Sequence, residues 1–459
     1  MSRERLVVIG ADAGGMTSAS QARKRRGAES LEIVALDRGR YASYSACGIP
    51  YWIGGLVGSL DALLARTVDE FRKQDIEVRL RQEAVGLDLD AGVVTVHDHE
   101  TGGDYALGFD QLVLGTGAVP VRPDIAGFDA PGVYGVQTLD DGEAVRAAVA
   151  ADGARRAVVV GGGYIGLEMA EAFVERGLEV TVVDAAPQPL STLDPDVGAL
   201  IADAVRALGI TLHSGEEVTG IRTGAAGEAI GVLTAEREIP ADVVVLGLGV
   251  RPNTALARDA GVKIGVTGGI VTDMRMRTAS HGNVWAAGDC VQTMNRVSSQ
   301  PVHVPLGTHA NKQGRVAGIN LGGGYATFPG VIGTAITKVC DVEVARTGLS
   351  EAEAEAAGYR FVSAAVDSTT RAGYFPGAQP IRVKLVAEKR TGRLLGAQIV
   401  GRNDAAKRID VLATAIWNEM HVDEVLSLDL SYAPPFSPVW DPVLIAARKA
   451  QDAVEAEFR

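Results

Sequence analysis

The chain is poor in cysteine, and what it has cannot cross-link a fold. Cys47, Cys290 and Cys340 are too few for a disulfide framework and lack zinc-ligand spacing. A reducing compartment suits such a sequence, so the cytoplasm is the expected location. The 7 histidines are scattered without ligand spacing, and no metal centre is expected. Positive charge is also in deficit. A formal net charge of −13 disfavours nucleic acid or an anionic membrane as the main partner. No apolar run approaches the roughly 20 residues of a membrane-spanning helix. The start, Met1-Ser-Arg-Glu-Arg, leads straight into a strand-like run without a signal-peptide pattern.

Glycine and apolar residues are abundant instead. Hydrophobic residues make up 47%, enough for sizeable cores, and 56 glycines imply many tight turns. At 459 residues two or three domains are expected.

Two stretches have strand, glycine turn and helix in the order that a dinucleotide-binding fingerprint requires. In the first, Leu6-Val-Val-Ile9 leads into Gly10-Ala-Asp-Ala-Gly-Gly15 and a helical run to about Arg25. Gly10 suits the tight turn and Gly15 the close packing of helix on strand. Asp12 replaces the middle glycine, and beside a pyrophosphate its carboxylate is tolerable only if it points away. The next strand-like run ends in Asp37, placed to accept hydrogen bonds from a ribose. In the second, Ala157-Val-Val-Val160 precedes Gly161-Gly-Gly-Tyr-Ile-Gly166 and a helix through Phe173, with all three glycines present. Its following strand ends in Asp184, with Ala185 and Ala186 next and no adjacent arginine. An acid there bonds ribose hydroxyls and repels a 2′-phosphate, favouring NADH over NADPH.

Between the fingerprints lies Ser43-Tyr-Ser-Ala-Cys-Gly-Ile-Pro-Tyr51. Gly48 and Pro50 suit an extended segment turning into a helix, and a cysteine at a helix start is expected to be acidic and largely thiolate. Three further strand-and-turn pieces follow: 109–118 with Thr116-Gly117, 243–253 with Gly249, and 283–289 ending in Gly288-Asp289. From about Phe328 strand-like alternation covers 332–347, 360–366 and 380–400. A helical face then runs through Ile409, Leu412, Ile416 and Met420 in 404–420. Cys340 reads as a core residue within a strand, and Cys290 as packing. The acidic run Glu351 to Glu355 reads as a solvated helix face. The proline-rich tail Leu430-Ser-Tyr-Ala-Pro-Pro-Phe-Ser-Pro438 is unsuited to helix or central strand.

Taken in this order, the motifs resemble the FAD-dependent pyridine nucleotide–disulfide oxidoreductases over nearly the whole chain. The resemblance implies an α/β fold with two Rossmann-like three-layer domains, binding FAD and NAD(H), and a C-terminal α+β dimerisation domain. The expected division is 1–120 and 250–325 for FAD, 121–249 for NAD(H) and 326–459 for dimerisation. Cofactor contacts are implied at Gly10, Ala13, Gly14, Gly15, Asp37, Arg38, Thr116, Gly117, Gly288 and Asp289. They are also implied at Gly161, Gly163, Tyr164, Ile165, Gly166, Asp184 and Gly249. The partners implied are a small-molecule disulfide and a second copy of the chain, as a homodimer.

What is missing narrows the branch. Two-cysteine members have a second cysteine where Ala42 stands, and end in a His-Pro-Thr segment where this chain has Tyr432-Ala-Pro-Pro. Oxidases and peroxidases of the single-cysteine branch carry a histidine at the position of Ala13. The segments Cys47-Gly-Ile-Pro-Tyr51, Tyr374-Phe-Pro-Gly377 and Tyr432-Ala-Pro-Pro-Phe436 look most like those of coenzyme A-disulfide reductases. That likeness implies Cys47 as the nucleophile holding a mixed disulfide with CoA, assisted by Tyr432 and Tyr374. It implies CoA contacts at Thr17, Gln21, Lys24, Ser43 and Asn311. Ala46 replaces the usual Asn, and Trp440 stands where some members have a CoA-binding Lys. The basic run Arg23-Lys-Arg-Arg26 is either a solvated helix end or, at Lys24, a phosphate contact. The rival readings are an NADH oxidase, a persulfide or polysulfide reductase, and a non-enzymatic NADH-sensing flavoprotein.

Overall fold

The computed structural model describes residues 3–457; Met1 and Ser2 of the start read above lie outside them. Two five-stranded parallel sheets form around the two glycine motifs. The first runs, in order, Val284–Ala286, Gln111–Leu114, Glu4–Ile9, Leu31–Asp37 and Ile76–Leu80. The second runs Thr211–Ser214, Glu179–Asp184, Arg156–Val160, Val243–Leu246 and Val133–Tyr134. Their central strands are almost continuously apolar because parallel sheets are covered on both faces. The chain passes between the two units beside a short antiparallel ladder, Ala118–Pro120 with Val250–Pro252.

The strand Val284–Ala286, far along the chain, completes the first sheet, so residues on both sides of the second sheet build one unit. The helices Ala13–Arg23 and Gly307–Leu321 pack on it in backbone contact. A Cβ at Gly314 would lie 2.4 Å from the Gly14 carbonyl oxygen, and one at Gly318 would lie 2.3 Å from that of Ser18. Asn311, Gly314 and Gly318 recur at helical spacing, so this approach brings Asn311 over the first helix.

The C-terminal sheet is wholly antiparallel, in the order Ala335–Val339, Val342–Gly348, Leu394–Gly401, Pro380–Glu388 and Phe361–Thr369. The helices Ile409–Trp417 and Pro442–Ala456 cover it with an aliphatic core that includes Leu385, Leu412 and Ala447. The helix expected over 404–420 is shorter, because a 3-10 turn Ala406–Arg408 precedes it and Asn418 ends it. The first fingerprint's helix ends at Arg23 and the second's extends to Glu175.

Two expectations need correction. Cys340 is not inside a strand: it sits at the tight turn joining Ala335–Val339 to Val342–Gly348, with φ +53. The acidic run forms the helix Glu351–Ala356, capped by Ser350, but two of its acids are not merely solvated. Glu351 contacts Lys384 and Glu353 contacts Arg346.

Candidate active site

Each glycine motif makes a turn into which no side chain fits. Gly10 has φ +102, and a Cβ there would lie 2.1 Å from the Gly115 carbonyl oxygen. At Gly166 a Cβ would lie 1.9 Å from the Gly161 carbonyl oxygen, so helix and strand meet through bare backbone. The acids that end the second strands brace these turns. Asp37 Oδ2 accepts from the Ala11 N–H at 2.8 Å, and Asp184 Oδ2 accepts from the Gly162 N–H at 2.8 Å. Thr116 is tied across the domain crossing, its hydroxyl donating to the Asn253 carbonyl at 2.6 Å. Gly288 N–H donates to Gln313 Oε1 at 2.8 Å, fixing the turn before Asp289.

Between the two motifs opens a cleft of about 2870 Å³. That is several times the roughly 300–1,000 Å³ of an ordinary small-molecule site. Gly10, Ala13, Gly14, Asp37, Arg38, Thr116, Gly117, Gly288 and Asp289 line it on one side, and Gly163, Tyr164, Ile165 and Gly249 on the other. Cys47, Ser43 and Asn311 line it too. Gly15, Gly161, Gly166 and Asp184 lie behind the walls, where they shape the turns. Two bare-backbone turns with N–H-rich helix starts, one at each end of a long cleft, fit two dinucleotides.

The cysteine segment is pinned to the first glycine loop. Ser43, at φ +50, donates its N–H to the Ala11 carbonyl at 2.8 Å, and Tyr44 N–H donates to Asp12 Oδ1 at 3.2 Å. Asp12 thus turns toward this segment, and burial pushes its carboxyl up to about 6. Behind Cys47 the helix Ile49–Gly54 starts with a proline in its first turn, and Ile49, Trp52 and Ile53 are buried in the core around the second sheet. The cysteine segment is therefore sandwiched between the first glycine loop and the core around the second sheet.

The expectation of an acidic Cys47 is not met by the residues around it. The cleft walls around Cys47 strip water from its thiol and push it up, and the Glu168 and Asp289 carboxylates push in the same direction. The following helix is only 6 residues long, too short for its end to outweigh those groups. Cys47 is nonetheless the exposed cysteine, whereas Cys290 is buried and Cys340 half-buried.

Glu168 was not singled out in the sequence. It sits two residues after Gly166, lines the cleft, and accepts from the Thr337 hydroxyl at 2.9 Å. Burial pushes its carboxyl up. One turn on, Glu171 binds Lys338 at 2.7 Å, and the Lys338 ammonium lies 5.6 Å from the Tyr51 ring centroid. The signal was available: Glu168, Glu171 and Glu175, three and four apart in an otherwise largely apolar helix, mark a polar stripe with a use.

The expected substrate contacts divide. Asn311 and Ser43 line the cleft; the Thr17 hydroxyl, just behind the wall, donates to Asn311 Oδ1 at 2.9 Å. Gln21 and Lys24 lie further along the helix, outside the lining residues. Arg23, Arg25 and Arg26 are occupied by Leu31 and Asp75 carbonyls, by Gln21 and by Glu4 respectively. Tyr432 and Tyr374 are exposed and set against one another, and neither lines the cleft of its own chain. Arg448 stacks on exposed Trp440, its guanidinium 5.5 Å from the ring centroid.

The pyridine nucleotide-disulphide oxidoreductase family matches residues 4–314, and the dimerisation domain of those enzymes matches residues 334–442. The chain belongs to this family. Its members bind FAD and NAD(P)H, so the chain is an oxidoreductase and the non-enzymatic NADH-sensing reading falls. The chain is 37% identical to an NAD(P)H sulfur oxidoreductase (CoA-dependent) of Pyrococcus furiosus, over 98% of this chain and 99% of the relative. It is 30% identical to a coenzyme A disulfide reductase of Staphylococcus haemolyticus, over 98% and 99%. Among solved structures, an NAD-dependent persulfide reductase from A. fulgidus superposes with a TM-score of 0.95 at 39% identity, covering 98% of this chain and 84% of that one. No helix among the described residues is long and apolar enough to cross a membrane.

Proposed function

We propose that this enzyme uses NADH to reduce a sulfur–sulfur bond attached to coenzyme A, with Cys47 as its one redox sulfur. The observation that carries this reading is the place of Cys47, an exposed cysteine in a cleft shared by two dinucleotide cradles. The Cys47 thiolate attacks one sulfur of the substrate, forms a mixed disulfide and expels a thiol. Two electrons and a proton, originally from NADH, then split the mixed disulfide, release the second thiol and restore Cys47. Bound FAD supplies the passage from a hydride donor to a sulfur acceptor. The same steps serve a CoA persulfide, with hydrosulfide as the expelled group, and the relatives named for sulfur and persulfide favour that second substrate.

Residues 1–120 and 250–325 form the FAD unit in this reading, supported by the strand Val284–Ala286 in the first sheet. Residues 121–249 hold NADH, with Asp184 and no neighbouring arginine disfavouring a 2′-phosphate. Residues 326–459 pair two chains as a homodimer in the cytoplasm. Tyr432 and Tyr374, remote from their own cleft, reach Cys47 of the second copy and orient or protonate the leaving sulfur. Thr17, Asn311 and Ser43 hold the CoA portion near the sulfur, and Lys24 meets its phosphates.

A panel of CoA disulfide, CoA persulfide and a small uncharged disulfide, assayed with NADH alongside oxygen uptake, tests the reading. Lys24→Ala should raise KM for the CoA substrates and leave the small disulfide unchanged. NADH consumption driven by oxygen alone, with no CoA substrate reduced, would replace this reading with that of an oxidase.

A further inference from the structure

Away from the cleft, buried charge gathers where the C-terminal sheet meets the second parallel sheet. Arg346, Gln398 and Lys384 come from three neighbouring strands, and the ladder pairs Arg346 with Gln398 and Gln398 with Lys384. They form one polar row on the face turned away from the C-terminal helices, beside Val342, Val344 and Val400, which pack into the core around the second parallel sheet. All three are buried, Lys384 at 5% exposure and Gln398 at 2%. A buried cation must be paired to be tolerated, and well-packed apolar residues would serve stability as well. The row therefore needs a reason beyond packing.

Its partners supply one. Lys384 Nζ lies 2.6 Å from Asp196 Oδ1, 3.0 Å from Asp194 Oδ2 and 3.0 Å from Glu351 Oε1. Burial opposes its charge, but these three carboxylates outweigh that and hold the ammonium above its ordinary range. Gln398 Oε1 accepts from the Asp194 N–H at 3.0 Å, and Arg346 donates to the Thr192 carbonyl at 2.6 Å. Apart from Glu351 on Lys384 and Glu353 on Arg346, these contacts fall between Thr192 and Asp196. That is the end of the segment leading from Asp184 to the helix Pro195–Ala207.

This segment braces the second glycine motif. Leu190 is buried at φ +50, a conformation a leucine keeps only when its surroundings impose it, and its N–H donates to the Gly162 carbonyl at 2.8 Å. Gly162 in turn donates to Asp184. The Thr192 side chain meets Tyr164, the first residue of the fingerprint helix and part of the cleft wall. Thr192 and Asp194 are held on the far side by the polar row.

We propose that Arg346, Gln398 and Lys384 are positioning residues for NADH: by clamping residues 192–196 they keep Leu190 on the Gly162 carbonyl and Thr192 on Tyr164, coupling the dimerisation domain to dinucleotide affinity. The inference rests on the second motif as the NADH site and is independent of which disulfide is reduced. Lys384→Met strands Asp194 and Asp196 without a cation and loosens the brace, while Lys384→Arg keeps the charge.

The test is calorimetric titration of the oxidised, FAD-loaded dimer with NAD+, together with the NADH-concentration dependence of flavin bleaching in stopped flow. Lys384→Met should weaken both by about tenfold, within the usual range of coupling between sites. Flavin content, the bleaching rate at saturating NADH and the KM for disulfide should be retained, and Lys384→Arg should recover most of the affinity. Unchanged NAD+ affinity in a folded Lys384→Met dimer overturns the proposal. So does loss of flavin and turnover in step with affinity, which marks a merely structural role. If Lys384→Met does not fold, Asp196→Asn decides: its carboxylate is half-exposed, so the fold tolerates it, and an NAD+ affinity equal to that of the parent overturns the proposal. A parent enzyme that binds NADPH and not NADH would instead refute the assignment of Asp184, leaving the clamp to be read with NADPH in the same two assays.

Discussion

Replacing Gly166 by alanine is the most direct test that the second glycine motif holds the electron donor. The added Cβ would lie 1.9 Å from the Gly161 carbonyl oxygen and 3.4 Å from Val159 Cγ1, whereas real contacts stay beyond 3.0 Å. Helix and turn must therefore separate by about 1.1 Å. Neither side is free to move. Gly161 N–H is bonded to the Val183 carbonyl at 2.7 Å, and the Gly162 carbonyl is bonded to Leu190 N–H at 2.8 Å. On the other flank Gly247 is so close that a Cβ there would lie 2.9 Å from Gly166 Cα. Overpacking of this kind costs about 1–3 kcal/mol, which is roughly 5- to 150-fold in affinity if the strain falls on the bound geometry. NAD+ titration and stopped-flow bleaching should show that loss, with flavin content intact because the first motif lies in a different sheet. Gly282→Ala is the control, since a Cβ there meets nothing within 4 Å. A Gly166→Ala enzyme that binds NADH within twofold of the parent would refute the argument.

Cys47→Ser should retain FAD and still accept hydride from NADH, yet lose disulfide turnover; in the parent, turnover with disulfide should rise with pH across the range where the up-shifted Cys47 thiol ionises. Asp12→Asn should raise the unfolding temperature at pH 7.5 and leave it nearly unchanged at pH 3, below the ordinary carboxylate range. The folded-state pKa of Asp12 is raised from 3.8 to about 6, so the cost of its charge is absent at low pH and complete above that window. At most it amounts to about 3 kcal/mol, and equal shifts at both pH values would contradict the assignment. Tyr432→Phe should slow release of the first thiol while leaving flavin reduction by NADH untouched, which single-turnover measurements of each half-reaction separate. Unchanged disulfide kinetics would mean that Tyr432 only packs between subunits.

The two dinucleotide motifs, the acids after them and the cysteine between them were legible in the amino-acid sequence because each is a local demand on the backbone. A turn like that at Gly10, or a helix start as close to its strand as Gly166, admits glycine only, so the requirement is written into consecutive residues. The missing second cysteine and missing histidine were legible only through the resemblance to the family. The ionisation of Cys47 was not, because it depends on burial and on Glu168 and Asp289, which reach it from distant parts of the chain. Nor was the fate of the charge runs. Arg23, Arg25 and Arg26 turn back onto nearby carbonyls and carboxylates, whereas Glu351 and Glu353 turn inward to buried cations. The polar row Arg346–Gln398–Lys384 is invisible in one dimension, since its members come from three strands and meet only through sheet register. Local backbone geometry is encoded residue by residue, but the electrostatic setting of a side chain is a sum over neighbours that only the folded chain brings together.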